Sequence, residues 1–113
     1  MPKYIVLYRF TDQGRRSLRD IVAGAEETQR QHEALGFKIL DTFWTLGGYD
    51  FVAVVEAPSE HEMMAGMLNI AEAGNVTSET LRAFDRQEIK QVMLSQNKGA
   101  SKMPTRRLRR PQT

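Results

Sequence analysis

The 113-residue chain contains no cysteine, which removes disulfide frameworks, thiolate metal sites and cysteine nucleophiles together. Apolar runs stop at five residues, as in "YIVLY" (4–8), far short of a membrane span, and the start "MPK" lacks the hydrophobic stretch of a secretory signal. A cytoplasmic address and no membrane partner are the expectation. Neither G-x-G-x-x-G nor a G-K-[ST] loop occurs, and G-x-S-x-G is missing too, so nucleotide-dependent and serine-hydrolase chemistries lose their usual sequence support. "HEMMA" (61–65) opens like a zinc-protease helix but has Ala65 where the second histidine belongs, so no metal site is expected. His61 and Glu62 are read instead as first-turn helix residues. No cofactor is implied.

Positive charge is unevenly spread. Lys98, Lys102, Arg106, Arg107, Arg109 and Arg110 are all cationic with no acid among them, so a formal charge of +2 for the whole leaves the body up to Gln96 at −4. The tail, 96–113, has two prolines and only Met103 and Leu108 as large apolar residues, too little to order itself. It is read as a flexible basic arm following a domain at 1–95. Arg106, Arg107, Leu108, Arg109 and Arg110 are its candidate partner-binding residues, for an acidic protein, the lumen of a protein shell, or nucleic acid held without sequence preference.

Within the body, periodicity predicts a strand at 3–10 and an amphipathic helix from Thr11 to Gly36, broken near Gly24. Two strands follow at 37–46 and 49–57, with Gly47-Gly48 as a two-residue primed turn. Ser59 and Glu62 have the spacing of a capping box for a second helix that closes at Gly74, carrying Met63, Met64 and Met67 as core methionines. A strand at 76–84 and a helix at 85–94 complete the order. The fold expected is α+β: a ferredoxin-like βαββαβ antiparallel sheet with its helices on one face and an extra C-terminal helix.

The predicted turn pairs Thr45 with Asp50 and Trp44 with Phe51. Side-chain alternation then places Leu40, Trp44, Leu46, Tyr49, Phe51 and Val55 toward the helices. Phe37, Ile39, Asp41, Phe43, Thr45, Asp50, Val52, Val54 and Glu56 face the other way. That open face is too apolar for bare solvent and too acidic for a dry interior, which suits contact between subunits around a partly polar cavity. Which face of the first strand joins it is left open by the sequence.

"PKYIVLYRFT", "FWTLGGYDFVAVVEAP" and "GNVTSETLRAF" resemble the signature blocks of the GYD-domain family, named for the Gly-Tyr-Asp that stands here as Gly48-Tyr49-Asp50. The resemblance runs from residue 2 to about 90 and includes Thr11, Gly14, Trp44, Gly47, Glu56, Gly74, Asn75 and Phe84. It implies a dimeric α/β barrel, two ferredoxin-like units packed sheet to sheet, and brings no activity with it. The tail lies outside it.

Gly48-Tyr49-Asp50-Phe51-Val52 also imitates the stacking strand of an RNA-recognition domain. Gly47 replaces the basic residue of that motif, Asp50 the small one and Val54 an aromatic, and acids on the open face would repel phosphate. The candidate ligand or interface residues are therefore Thr45, Asp50 and Glu56, with Arg9 from the first strand and His32 from the apolar side of the first helix; Tyr8 and Arg82 are possible neighbours. The leading function is a homo-oligomeric ligand-binding or scaffold module whose basic tail docks to an acidic partner. The alternative is a cofactor-free enzyme of the same barrel type, an oxygenase, isomerase or decarboxylase, with His32 or Asp50 as general base.

Overall fold

A computed structural model describes residues 1–100 of the chain, with side chains through residue 96. The basic residues of 101–113, Arg106 to Arg110 included, lie outside the described residues. Two compact units are present, Met1–Ala83 and the segment from Phe84 onward.

The first unit runs β1 (Lys3–Phe10), α1 (Asp12–Arg16), α2 (Leu18–Ala23), α3 (Ala25–Ala34), β2 (Lys38–Trp44), β3 (Phe51–Glu56), α4 (Glu60–Ala73) and β4 (Val76–Ala83). The four strands form one antiparallel sheet in the order β2-β3-β1-β4. This is the ferredoxin-like order, and it follows from two βαβ halves whose strands β1 and β3 pair at the centre.

The helical stretch after β1 divides at two places, Ser17 and Gly24, rather than at Gly24 alone. Thr11 caps α1, its hydroxyl accepting from Gly14 N at 3.1 Å and donating to Gly74 O at 2.6 Å. Gln13 adds bonds from its amide to Ala73 O (2.9 Å) and Asn75 Oδ1 (3.0 Å), and Thr11 N donates to Asn75 O at 3.0 Å. The β1–α1 turn is thus locked onto the α4–β4 turn, where Gly74 closes α4 at φ 79°, a conformation glycine adopts without steric cost. Gly14 sits inside this lock: a Cβ there would stand 2.0 Å from Asn75 O.

Tyr4 and Val6 from β1, Ala53 and Val55 from β3, Phe37, Ala57 and Met63 make the buried core. Met67 packs against it, whereas Met64, also expected inside, is exposed. The parity of β1 is now fixed: Tyr4, Val6 and Tyr8 point toward the helices, and Lys3, Ile5, Leu7 and Arg9 toward the open face.

β2 departs from the predicted alternation. Ile39 pairs with Val55 but Asp41 pairs with Val54, so Leu40 is an extra, bulged residue. One added residue exchanges the faces. Phe37 and Ile39, expected on the open face, therefore belong to the core side, and Leu40, expected inside, is exposed. Beyond the bulge Asp41 and Phe43 face outward and Trp44 inward, as expected.

The connection at Gly47-Gly48 is also longer than a two-residue turn. β2 ends at Trp44 and β3 begins at Phe51, and only Gly47 of the pair has positive φ, 111°. Leu46 is fully exposed instead of core.

The second unit carries α5 (Arg86–Ala100), which continues past the expected end at 94. Asp85 and Glu88 form its capping box, Glu88 N donating to Asp85 Oδ1 at 2.7 Å and Asp85 N to Glu88 Oε1 at 2.9 Å.

Candidate functional site

The open face is built from β1, β3, β4 and the outer part of β2. Ile5 lies opposite Val54 and Leu81, and Leu7 opposite Val52 and Glu79, so a stripe of branched apolar side chains crosses three strands. Phe43, opposite Val52, extends it onto β2. Phe43 is 53% exposed and Leu81 48%. These apolar residues have polar groups at both ends of the strands.

At one end Lys3 Nζ and Glu56 Oε2 are 3.1 Å apart, with 23% and 16% of their side chains exposed, and Lys38 is the β2 partner of Glu56. Such a partly sheltered pair loses less to solvent screening than a surface one. At the other end Arg9 places its guanidinium carbon 4.4 Å from the centre of the Tyr49 ring and donates from Nε to Gly48 O at 2.5 Å. The Tyr49 hydroxyl donates to Glu79 Oε1. That bond to the carboxylate, helped by burial and the Glu79 charge, raises the Tyr49 pKa above 10, while Arg9 opposes the shift. A recess of about 180 Å³ lies among Leu7, Arg9, Tyr49, Thr77, Ser78 and Glu79. The two ends are six residues apart along β1, about 20 Å at ~3.3 Å per residue.

Tyr49 was expected to point inward; the longer turn swings it out to Arg9. Every member of the Gly48-Tyr49-Asp50 trio engages β1. The Gly48 carbonyl takes the Arg9 bond, and the Tyr49 ring lies under its cation. Asp50 donates from its N to Tyr8 O at 2.8 Å and accepts from Phe10 N at Oδ2, 2.9 Å away. Thr45 closes the turn, its hydroxyl donating to Tyr49 O at 2.5 Å and its N to Asp50 O at 3.0 Å.

Of the candidate residues, Arg9, Thr45 and Asp50 are therefore brought together, Glu56 stands at the far end of the same face, and His32 is on the opposite side of the sheet. His32 Nδ1 lies 2.9 Å from Thr28 O, its ring edge-on to Phe37 with centroids 6.1 Å apart. Because a carbonyl only accepts, Nδ1 is the protonated nitrogen there. Tyr8 turns toward the helices, where burial raises its pKa to about 12. Arg82 belongs to the helix-side parity of β4, its Nε 3.8 Å from Glu60 Oε2. Sequence reasoning missed Glu79 altogether; its signal was its place beside Leu7 in the β1–β4 register, which only the structure supplies.

The family model for the GYD domain matches residues 4–93. A relative from Thermus thermophilus, described as glutamine synthetase and cystathionine beta-lyase binding protein, is 36% identical over 85 residues, which cover 74% of this chain and 90% of the relative. No solved structure matches the chain significantly. No helix among the described residues is long and apolar enough to cross a membrane.

Proposed function

The chain belongs to the GYD-domain family, and from that premise we propose that it is a protein-binding module that pairs with itself through the open sheet face and holds partner enzymes in place. One observation carries this reading: Phe43 and Leu81, both about half exposed, flank an apolar centre on β1 and β3, with charged groups around it, Lys3 and Glu56 at one end, Arg9 at the other, and Asp41 and Glu79 on the edge strands. Interfaces have that anatomy, an apolar centre that excludes water and a polar rim that fixes register. A second copy related by a two-fold axis offers the same surface, so the apolar stripe meets its own kind. The roles of Thr45 and Asp50 are then to shape the face and those of Arg9 and Glu56 to mark its ends.

The relative's description supplies the class of partner: glutamine synthetase and cystathionine β-lyase are the first two enzymes to test. The basic segment 98–113, whose first residues continue α5, adds a second contact, to an acidic surface on the partner, by charge alone. The setting for both is the cytoplasm.

The experiment compares the full chain, Phe43→Asp and a chain lacking 98–113, by light scattering at micromolar concentration and by capture of the two purified enzymes. The full chain is expected as a dimer or a multiple of one, Phe43→Asp as a folded monomer, and the shortened chain as an oligomer that has lost capture. A strictly monomeric full chain removes the self-pairing. Undiminished capture by the shortened chain moves the partner contact to the body.

A further inference from the structure

On the opposite side of the sheet from the apolar stripe, between its inner face and α2, α3 and α4, lies a cavity of about 630 Å³. Neither α2 nor α3 contributes a buried residue to the core, so these helices stand over the sheet without filling the space beneath them. Natural interiors are close-packed, and a void of this size falls in the ~300–1,000 Å³ range of ligand pockets.

The chemistry of the walls narrows the occupant. Four rings run along one side in contact: Tyr8 to Phe51 at 5.6 Å, Phe51 to Trp44 at 4.6 Å, Trp44 to Phe10 at 6.2 Å between centroids. Trp44 keeps 48% of its surface exposed while lining the cavity, a large cost for the chain's sole tryptophan unless something covers it. Among the described residues the cavity lining includes the exposed carboxylates of Asp20 and Glu26 but no lysine or arginine. An anion entering would leave water with no lysine or arginine of the described lining to receive it, whereas a neutral or cationic ring meets negative aromatic faces and carboxylates. Of the polar side chains in the lining, Tyr8 belongs to the aromatic wall itself and His32 keeps Nε2 available for a ligand, since Nδ1 is committed to Thr28 O.

We infer that this cleft is a binding site for a small planar aromatic molecule carrying no negative charge. The ligand stacks against the Trp44–Phe51 wall and is oriented by Tyr8 and His32. The site uses the face opposite the proposed self-contact and does not rest on it.

Because Trp44 is the sole tryptophan, its indole N–H gives a single signal in a nitrogen-15 correlation spectrum of the full chain. Three probes of matched shape are titrated: 2-naphthol, 2-naphthylmethylammonium and 2-naphthoate. The first two are expected to move that signal with Kd below about 1 mM, and 2-naphthoate to bind at least about tenfold more weakly. Ala25→Phe, which puts a ring into the cavity, should abolish binding. Tyr8→Phe, which removes one oxygen from a ring that keeps its packing, should weaken 2-naphthol several-fold and covers the case in which Ala25→Phe does not fold. Phe43→Asp on the far face should leave the titration unchanged. Absence of binding by both uncharged and cationic probes overturns the site, as does equal binding of 2-naphthoate or indifference of binding to Tyr8→Phe.

Discussion

The Arg9 guanidinium lies over the Tyr49 ring at 4.4 Å, and the Tyr49 hydroxyl is hydrogen-bonded to Glu79, so one chain of contacts joins β1, the 45–50 turn and β4 across the open face. The carboxylate holds the phenol in its protonated form. Glu79→Gln should therefore lower the Tyr49 pKa toward 10, while Arg9→Met, which removes the opposing cation, should raise it further. Ring-carbon NMR of Tyr49 between pH 8 and 12 reads both directions. Opposite movement of the two variants supports the contact chain, and identical movement contradicts it.

Gly14 should be the least replaceable glycine of the first unit. A methyl group there meets Asn75 O at 2.0 Å, backbone against backbone, with no flexible side chain to give way. Gly14→Ala is expected to cost about 3 kcal/mol or more, the range reached by overpacking and broken networks. Gly48→Ala, with no atom within 4 Å and no positive φ, should stay within about 0.5 kcal/mol. Urea unfolding of the two variants side by side checks the contrast.

Asp50 distinguishes a scaffold role from a chemical one. Its carboxylate accepts the Phe10 N–H at 2.9 Å, and removing it leaves that part-buried donor unmatched. Asp50→Ala should cost about 1–2 kcal/mol and speed amide exchange at Phe10, whereas Asp50→Asn, whose side-chain carbonyl can still accept, should cost less than half as much. Equal losses in the two variants would show that charge, not acceptance, is what the site needs.

Tyr8 predicts a pH window for stability. Burial raises its pKa from 10.0 to about 12, so the folded state keeps the phenolic proton longer than the unfolded chain does. Its contribution is complete below pH 10 and falls as pH rises from 10 through 12, on the order of 2 to 3 kcal/mol over the whole window. Urea midpoints measured from pH 8 to 11.5 should decline more steeply for the unsubstituted chain than for Tyr8→Phe. Parallel declines would mean that the Tyr8 hydroxyl is solvated in the folded state.

The strand and helix order was legible because each element announces itself locally, as in the alternation of "FVAVVE", the capping pair Ser59 and Glu62, and Gly74 at the end of α4. The β3 faces were legible for the same reason. What failed was everything that depends on counting residues through an irregularity. Tyr49 was turned to the wrong side because a Gly-Gly pair suits a two-residue primed turn, whereas here the connection takes six residues and Asp50 is drawn to the β1 backbone. The cavity was invisible, since the helix pattern that puts His32 on the apolar side says nothing of how far the helix stands from the sheet. Gly14 was recognisable only as a matching letter; the contact that demands it joins residues 61 positions apart.

Leu40 is the sharpest case of an irregularity that local pattern does not reveal, and it carries the last prediction. Its insertion lets Phe37 and Ile39 face the helices while Asp41 and Phe43 face outward on the same strand. Deleting Leu40 forces one half of β2 to turn over: either Phe37 leaves the core beside Met63, or Asp41 turns to the helix side. Both put an apolar or charged group on the wrong side of a half-buried sheet, and neither can be relieved by a side-chain rotation. The deletion should abolish cooperative urea unfolding. Leu40→Thr, at a site already 46% exposed, keeps the bulge and should stay within about 1 kcal/mol of the parent. A deletion variant that unfolds cooperatively near the parent midpoint would show that the parity of β2 is not set by the bulge.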